Sequence, residues 1–402
     1  MKKLIIGYGV SGKAAARFLE KMGKTIVAVD RSEEGALPDS PDFSLEGIDR
    51  VILSPGIPYK HPLVQKALEL GIEIIGEIEL GMRFLKNRAF GVTGTNGKTT
   101  TVLLMEHILK ASGIKAKALG NIGKSLTGYL LNPDEEEILL IELSSYQLET
   151  IQTPKMEGCF VLNISPNHLD RYPSFKAYVE AKALIQNCLI PGGDLFISKQ
   201  VQREFGNLFP SAKVFEKPVD ILNMGCYTEL MMPSSRTIEA AYLLCKRCGV
   251  TDMVFLDHLK MFKKPAHRIE WVAKIDGVAY YNDSKSSNVQ SVIHAVEKVE
   301  GPLILIVGGT HKGSSYKPWI EEFKSKVRMI IAYGKAAPVI ECELKNHFPM
   351  HVVDRFEDAI RWVKIEAKTH ETVLLSPGCS SFDQFDNYKH RGEEFKRLVR
   401  EV

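Results

Sequence analysis

Ala89-Phe90-Gly91-Val92-Thr93-Gly94-Thr95-Asn96-Gly97-Lys98-Thr99-Thr100 is an apolar run that enters a glycine-rich turn and leaves it into a helix-compatible stretch, Thr100–Ala111. Strand, glycine turn and helix in that order are what a phosphate-binding loop requires. Glycines let successive backbone N–H groups converge on phosphate oxygens, the helix N-terminus adds partial positive charge, and Lys98 neutralises terminal phosphates. Thr99 then offers a hydroxyl to magnesium. The first glycine of the usual G-x-x-x-x-G-K spacing falls at Val92, so this is a variant loop. A plain glycine turn with a solvated lysine leaves the flanking strand and helix unexplained.

Downstream of this turn, Ile138-Leu-Leu-Ile-Glu142 reads as a buried strand ending in a carboxylate. Ligands of open α/β sheets bind outside the carboxyl ends of the strands, and hard oxygen ligands suit magnesium, which makes Glu142 a second metal candidate. A third strand, Phe160–Ile164, runs into Ser165-Pro-Asn-His-Leu-Asp-Arg-Tyr172 and brings His168 toward the same edge. A lone strand-end acid or loop histidine is often a bystander. Three strand ends converging favour a site.

Upstream, the runs 3–6, 25–29, 51–53 and 72–75 alternate with helical stretches and read as a small parallel α/β unit. Gly7-Tyr-Gly-Val-Ser-Gly12 follows its first strand, and Asp30 ends the second. Alone, this satisfies a dinucleotide fingerprint, so an NAD-dependent dehydrogenase is a rival reading. Such an enzyme has no need of a second phosphate loop with metal ligands. The turn is therefore expected to hold a different diphosphate.

Toward the C-terminus, Phe262-Lys-Lys-Pro265 is polar and helix-ending, a boundary and candidate hinge. Beyond it, Glu270–Ile275 and Val278–Tyr281 flank Asp276-Gly277, a type I′ hairpin signal. Strands at 303–307, 328–332, 351–353 and 372–375 alternate with helices. Three polar loops end strands there: Asp283–Asn288, Gly308–Gly313 and Ser376–Phe385. Their lysines and hydroxyls suit an anionic small molecule. Residues 200–235 show no clear period, Cys245-Lys-Arg-Cys248 lacks the second pair a zinc site needs, and the acidic run Asp134–Glu137 reads as a solvated loop.

The chain's 402 residues call for two or three domains, and three are expected: 1–87, 88–264 and 265–402. With 45% hydrophobic and 25% charged residues, several cores are affordable and wholesale disorder is excluded. A net charge of +3 leaves no basic excess for nucleic acid. Seven scattered cysteines read as reduced thiols, and the apolar run after Lys2-Lys3 stops at Gly7, too short for a leader or membrane span. A cytoplasmic protein is expected.

Taken in order, these segments resemble the Mur ligases over essentially the whole chain. Gly94–Thr100 is similar to that family's ATP loop, Glu142-Leu-Ser-Ser-Tyr-Gln-Leu-Glu149 to its magnesium-binding segment, and Asn167–Tyr172 with Ala181-Lys182 to the stretch carrying a metal-ligating histidine and a carbamylated lysine. Asp283-Ser-Lys285 and Leu375–Phe385, continuing to Arg391-Gly392, resemble the D-glutamate-adding members, where the latter stretch forms part of the D-glutamate pocket. Where the family carries His-Asn-x-x-Asn on its adenine side, this chain has Pro233-Ser-Ser-Arg-Thr237.

The resemblance implies an α/β protein of three domains: Rossmann-like, P-loop ATPase-like and Rossmann-like. It implies ATP with two magnesium ions, the substrates UDP-N-acetylmuramoyl-L-alanine and D-glutamate, and a monomer. ATP would meet Gly94, Thr95, Asn96, Gly97, Lys98, Thr99, Thr100, His267, Arg268, Asp283 and Lys285, and the metal Thr99, Glu142, His168 and Lys182. The UDP substrate would meet Gly9, Val10, Ser11, Gly12, Arg31, Ser32, Asn121, Ser144, Gln147 and His168. D-glutamate would meet Ser287, Lys312, Ser381, Phe382 and Tyr388, with Lys98, His168, Lys182 and Lys285 as catalytic residues. A nucleotide-binding relative without ligase activity is the alternative.

Overall fold

Short apolar runs interrupted by glycine turns fold into three sheets in the computed structural model, which describes residues 1–215 and 233–401. The first sheet contains β1 (Lys2–Ile6), β2 (Ile26–Asp30), β3 (Leu37–Pro38), β4 (Ile48–Leu53) and β5 (Glu73–Gly76), all parallel, in the order β3-β2-β1-β4-β5. Leu4, Ile6, Val29, Val51 and Leu53 pack against Leu63 and Val64 of the helix Pro62–Glu69. The strand order reverses at β1/β4, which opens a crevice between the turn after β1 and the loop after β4. Ser54 closes its base by donating to the Gly7 carbonyl at 2.6 Å.

The second sheet is also parallel: β6 (Ala89–Thr93), β7 (Ala116–Gly120), β8 (Ile138–Glu142), β9 (Met156–Val161), β10 (Leu189–Ser198) and β11 (Lys213–Phe215), ordered β11-β10-β9-β6-β8-β7. Every residue of β6 and β8 is buried, as continuous apolar runs in a two-sided parallel sheet must be. The third strand ends at Val161 rather than Ile164. Of residues 200–235, a helix at Lys199–Phe205 and β11 are seen, and 216–232 lie outside the described residues.

The third sheet runs β12 (Glu270–Ile275), β13 (Val278–Asn282), β14 (Leu303–Gly308), β15 (Val327–Tyr333), β16 (Met350–Val353) and β17 (Thr372–Gly378) in the order β12-β13-β17-β14-β15-β16. Only β12 is antiparallel, joined to β13 through Asp276 and Gly277 at φ 49° and 81°, the two positive values a type I′ turn demands. Helices Val289–Lys298, Pro318–Phe323 and Ala337–Leu344 cover one face around Trp319, and Phe356–Glu366 and Tyr388–Arg400 cover the other around Phe356 and Phe395. Because β14 and β17 send their helices to opposite faces, their loops diverge over a second crevice.

Contacts divide the chain into two compact units. One takes in Met1–Ile164, 176–215 and Pro233–Phe262; the other takes in Ser165–Phe175 and 263–401. Inside the first unit, the helix Glu77–Met82 ties the first sheet to the second. Glu77 Oε1 accepts from the Thr127 N–H and hydroxyl, both at 2.6 Å, and burial pushes the Glu77 carboxyl above its ordinary range. Glu79 accepts from Gln152 N–H, Thr153 N–H and the Thr153 hydroxyl. No helix among the described residues is long and apolar enough to cross a membrane.

Candidate active site

The turn after β6 is held open from below. Gly94 (φ 150°) and Gly97 (φ 89°) adopt backbone that side-chain-bearing residues rarely enter, and Gly97 is the N-cap of the helix Lys98–Ala111. Asn163 pins the loop tip reciprocally: its Oδ1 accepts from Asn96 N–H and its Nδ2 donates to Asn96 O, each at 2.9 Å. Thr95 N–H donates to Asn163 O, and the Thr95 hydroxyl meets Tyr178 OH at 3.1 Å. Lys98 Nζ folds back over the turn, donating to Gly94 O at 2.8 Å and Thr95 O at 3.0 Å. Thr99 is half-buried beside it and Thr100 buried.

Two ionisable groups beneath this loop are out of the ordinary. Lys182, 1% exposed, donates to Gly94 O at 2.9 Å and sits 4.8 Å from the Tyr178 ring centre. Burial pushes its amine well below the usual lysine range; repulsion from Lys98 adds to this and Glu142 opposes it. Glu142, 3% exposed at the end of β8, accepts from Asn121 Nδ2 through Oε1 at 3.1 Å, while Oε2 is buried with no hydrogen-bond partner. An unsatisfied buried carboxylate oxygen is costly, and a hard cation relieves it. No cluster of three or more His, Cys, Asp and Glu able to hold a metal exists among the described residues. A cation here would therefore draw on mixed donors such as Thr99 and Glu142. Ser144 and Gln147, expected to meet substrate, cap each other: Gln147 Oε1 accepts from Ser144 N–H and hydroxyl.

The turn after β1 is built differently. A Cβ at Gly12 would fall 2.1 Å from the Gly7 carbonyl oxygen, so helix and turn touch backbone to backbone. Gly9 caps the helix Val10–Lys21, whose first turn holds no acidic residue; Val10 is exposed and Ser11 half-buried. Asp30 Oδ2 accepts from Tyr8 N–H at 2.6 Å, and Oδ1 accepts from Ser32 and Glu33 N–H at 3.0 and 3.1 Å. Burial would raise the Asp30 carboxyl, but these N–H donors and that of Arg31 outweigh it and hold it below the usual carboxylate range. Both carboxylate oxygens are engaged by the protein's own backbone. That disfavours the dehydrogenase alternative, in which Asp30 would have to take a ribose hydroxyl. Arg31 is largely exposed, its Nε 3.4 Å from Asp39.

In the second unit, Asp283 follows β13 and is 4% exposed. Its Oδ2 accepts from Ser286 Oγ (2.5 Å) and Ser376 Oγ (2.8 Å), and Oδ1 from Ile269 N–H (3.2 Å). Burial pushes the carboxyl up to about 6, against these hydrogen bonds and the charge of Arg268. Lys285 Nζ lies 3.8 Å above the Tyr388 ring, and Lys312 donates to Ser287 Oγ at 3.2 Å. His267 is buried at φ 63°, bonded to Asn282, with burial lowering its pKa. Ser381 is buried and Phe382 is 74% exposed. His168, at φ 57°, belongs with Ser165–Phe175 in this unit and not in the unit holding Glu142.

Arg391, at the end of the stretch whose resemblance implies part of the D-glutamate pocket, is completely buried and bonded to neighbouring loops. Sequence reasoning missed the Asn163 pin and the burial of Lys182. Nothing local in Ala181-Lys182 announces either feature.

Comparison with known proteins matches the Mur ligase MurD-like N-terminal domain over residues 1–76, the Mur ligase middle domain over 92–211, and the Mur ligase glutamate ligase domain over 267–379. A protein named UDP-N-acetylmuramoylalanine--D-glutamate ligase from Protochlamydia amoebophila is 41% identical, covering 99% of this chain and 98% of its own. One of the same name from Chlamydia pneumoniae is 35% identical, with 99% and 98% covered. Among solved structures, the MurF ligase from Thermotoga maritima in complex with ADP superposes with a TM-score of 0.61 at 15% identity, covering 100% of this chain and 95% of that one, a likeness of fold. The chain belongs to the Mur ligase family.

Proposed function

We propose that the chain joins D-glutamate to UDP-N-acetylmuramoyl-L-alanine with ATP, an ADP-forming amide ligation of peptidoglycan synthesis, acting as a cytoplasmic monomer. The observation that carries this reading is end-to-end identity of 41% with a D-glutamate ligase. The phosphate-loop geometry, the unsatisfied Glu142 oxygen and the polar loops of the third sheet support it.

The alanyl carboxylate attacks the γ-phosphorus of ATP and ADP leaves, giving an acyl phosphate. The D-glutamate amine then attacks the acyl carbon, the C–N bond forms, a proton leaves the amine and phosphate departs. The turn Gly9, Val10, Ser11 and Gly12, with Arg31 and Ser32, holds the UDP diphosphate at a helix N-terminus. Backbone N–H groups of Gly94–Thr100 cradle the ATP phosphates, and Lys98 leaves the Gly94 and Thr95 carbonyls to meet them. Bound magnesium, expected as two ions, would offset the repulsion between γ-phosphate and carboxylate. Thr99, Glu142, His168 and Lys182 would hold it. Burial pushes the Lys182 amine well below the usual lysine range, which favours the lone pair that would add to CO2 and, with loss of one N–H proton, give a carbamate anion suited to a hard cation. Asn121, Ser144 and Gln147 border the substrate; His267, Arg268, Asp283 and Lys285 serve the nucleotide. Ser287, Lys312, Ser381, Phe382 and Tyr388 orient D-glutamate.

The test uses UDP-N-acetylmuramoyl-L-alanine carrying 18O in its alanyl carboxylate, with ATP, magnesium and D-glutamate. The proposal expects the glutamyl amide product and one 18O in each released phosphate. ATP binding with no product would instead mark a nucleotide-binding relative without ligase activity, the alternative suggested by Pro233–Thr237.

A further inference from the structure

Arg391 lies on the helix Tyr388–Arg400 and is 0% exposed. Its Nε donates to Ser284 Oγ at 2.9 Å and Nη2 to Ser284 O at 2.8 Å and Cys379 O at 3.2 Å. Nη1 donates to Tyr333 OH at 3.2 Å and Gly308 O at 3.5 Å. Each acceptor is uncharged. A guanidinium cannot shed its proton, so this charge persists in the interior, where an ion normally requires a carboxylate. Asp383, the acid felt at both Tyr333 and Cys379, turns its Oδ2 to Lys335 N–H instead.

The acceptors are not scattered. Ser284 follows β13, Gly308 ends β14 and Cys379 follows β17: the three strand ends around the crevice of the third sheet. At Gly309 a Cβ would stand 3.2 Å from Arg391 Nη1 and 2.1 Å from Ser380 O, so the loop backbone lies directly on the guanidinium. Burial pushes the Cys379 thiol up to about 11, while its hydrogen bond with Tyr316 and the charges of Arg391 and Lys312 act against it.

We propose that Arg391 is a positioning residue for the amino-acid substrate: it never touches D-glutamate, but locks the three loops in register and supplies a fixed positive potential beneath them that favours a dicarboxylate. This rests on the function proposed above. A buried charge with only dipolar partners is worth its desolvation where an anion arrives from solvent to complete it.

The experiment compares wild type, Arg391→Lys and Arg391→Met by initial rates, varying D-glutamate, ATP and UDP-N-acetylmuramoyl-L-alanine separately, with a thermal melt of each. Arg391→Lys keeps the charge but loses the fork, and its KM for D-glutamate should rise about tenfold, the equivalent of about one lost charge-assisted hydrogen bond. Arg391→Met should raise it further still, while the KM values for ATP and the UDP substrate stay within about twofold in both variants. An unchanged KM for D-glutamate in folded Arg391→Lys, or an equal rise in all three, overturns the proposal. If Arg391→Met does not fold, Arg391→Lys decides alone. Wild type inert toward D-glutamate would instead refute the function itself.

Discussion

The turn after β1 and the turn after β6 occupy the same place in their sheets, yet they are stabilised by opposite means. Around the first, a carboxylate gathers backbone: Asp30 binds the N–H groups of Tyr8, Ser32 and Glu33, and Gly12 packs onto Gly7. Around the second, two lysines gather carbonyls: Lys98 and Lys182 both donate to Gly94 O. Under the proposed function, the first arrangement would present backbone dipoles for static holding of a diphosphate, and the second would set the Lys98 charge where phosphates arrive for transfer. Under that reading, two glycine turns serve two chemistries, and the neighbouring charges decide which.

Lys98→Ala should break the comparison most severely. It leaves the loop backbone intact but removes the terminal-phosphate cation, so kcat/KM should fall about a thousandfold or more with the melting temperature nearly unchanged. Normal turnover would sink the assignment of the second turn. Gly12→Ala comes next. The added methyl meets Gly7 O, so stability should fall by about 1–3 kcal/mol and the KM for the UDP substrate should rise, with that for ATP little affected.

Two pH signatures of the same sign, in separate windows, sharpen the contrast at smaller amplitude. In the protein without carbamate, burial lowers the Lys182 pKa, so the unfolded chain binds more protons between that value and 10.5 and stability rises with pH across this window. Lys182→Met should flatten that slope in urea titrations. Asp30 gives a slope of the same sign at the acid end. Its carboxyl is lowered from 3.8, so its contribution is complete above that value and lost as pH falls through the folded one. Asp30→Asn should remove this acid-side slope and raise the KM for the UDP substrate by only a few-fold.

Both turns were legible because glycine, strand and helix signals are local, as was the hairpin at Asp276-Gly277. Elements set by distant partners were not. Strand β7 reads Ala-Lys-Ala-Leu-Gly, poor in β-branched residues, and forms because β8 pairs with it throughout. Strand β10 carries Pro191, Gly192 and Gly193 within a register shift against β9. For the site, Glu142 was visible as a strand-end acid, but the meaning of Lys182 and Arg391 lies in their burial against loops far away in sequence. His168 lies in the stretch Ser165–Phe175, which groups with the other unit, where Leu169 packs on Gly313, a partner that no local signal names.

The most direct measurement of the central claim is phosphate release from ATP and magnesium in the presence of UDP-N-acetylmuramoyl-L-alanine, with D-glutamate, L-glutamate, D-alanine or diaminopimelate offered in turn. Release that requires D-glutamate is the predicted result. Release driven by another of these amino acids, or none with any of them, would contradict it.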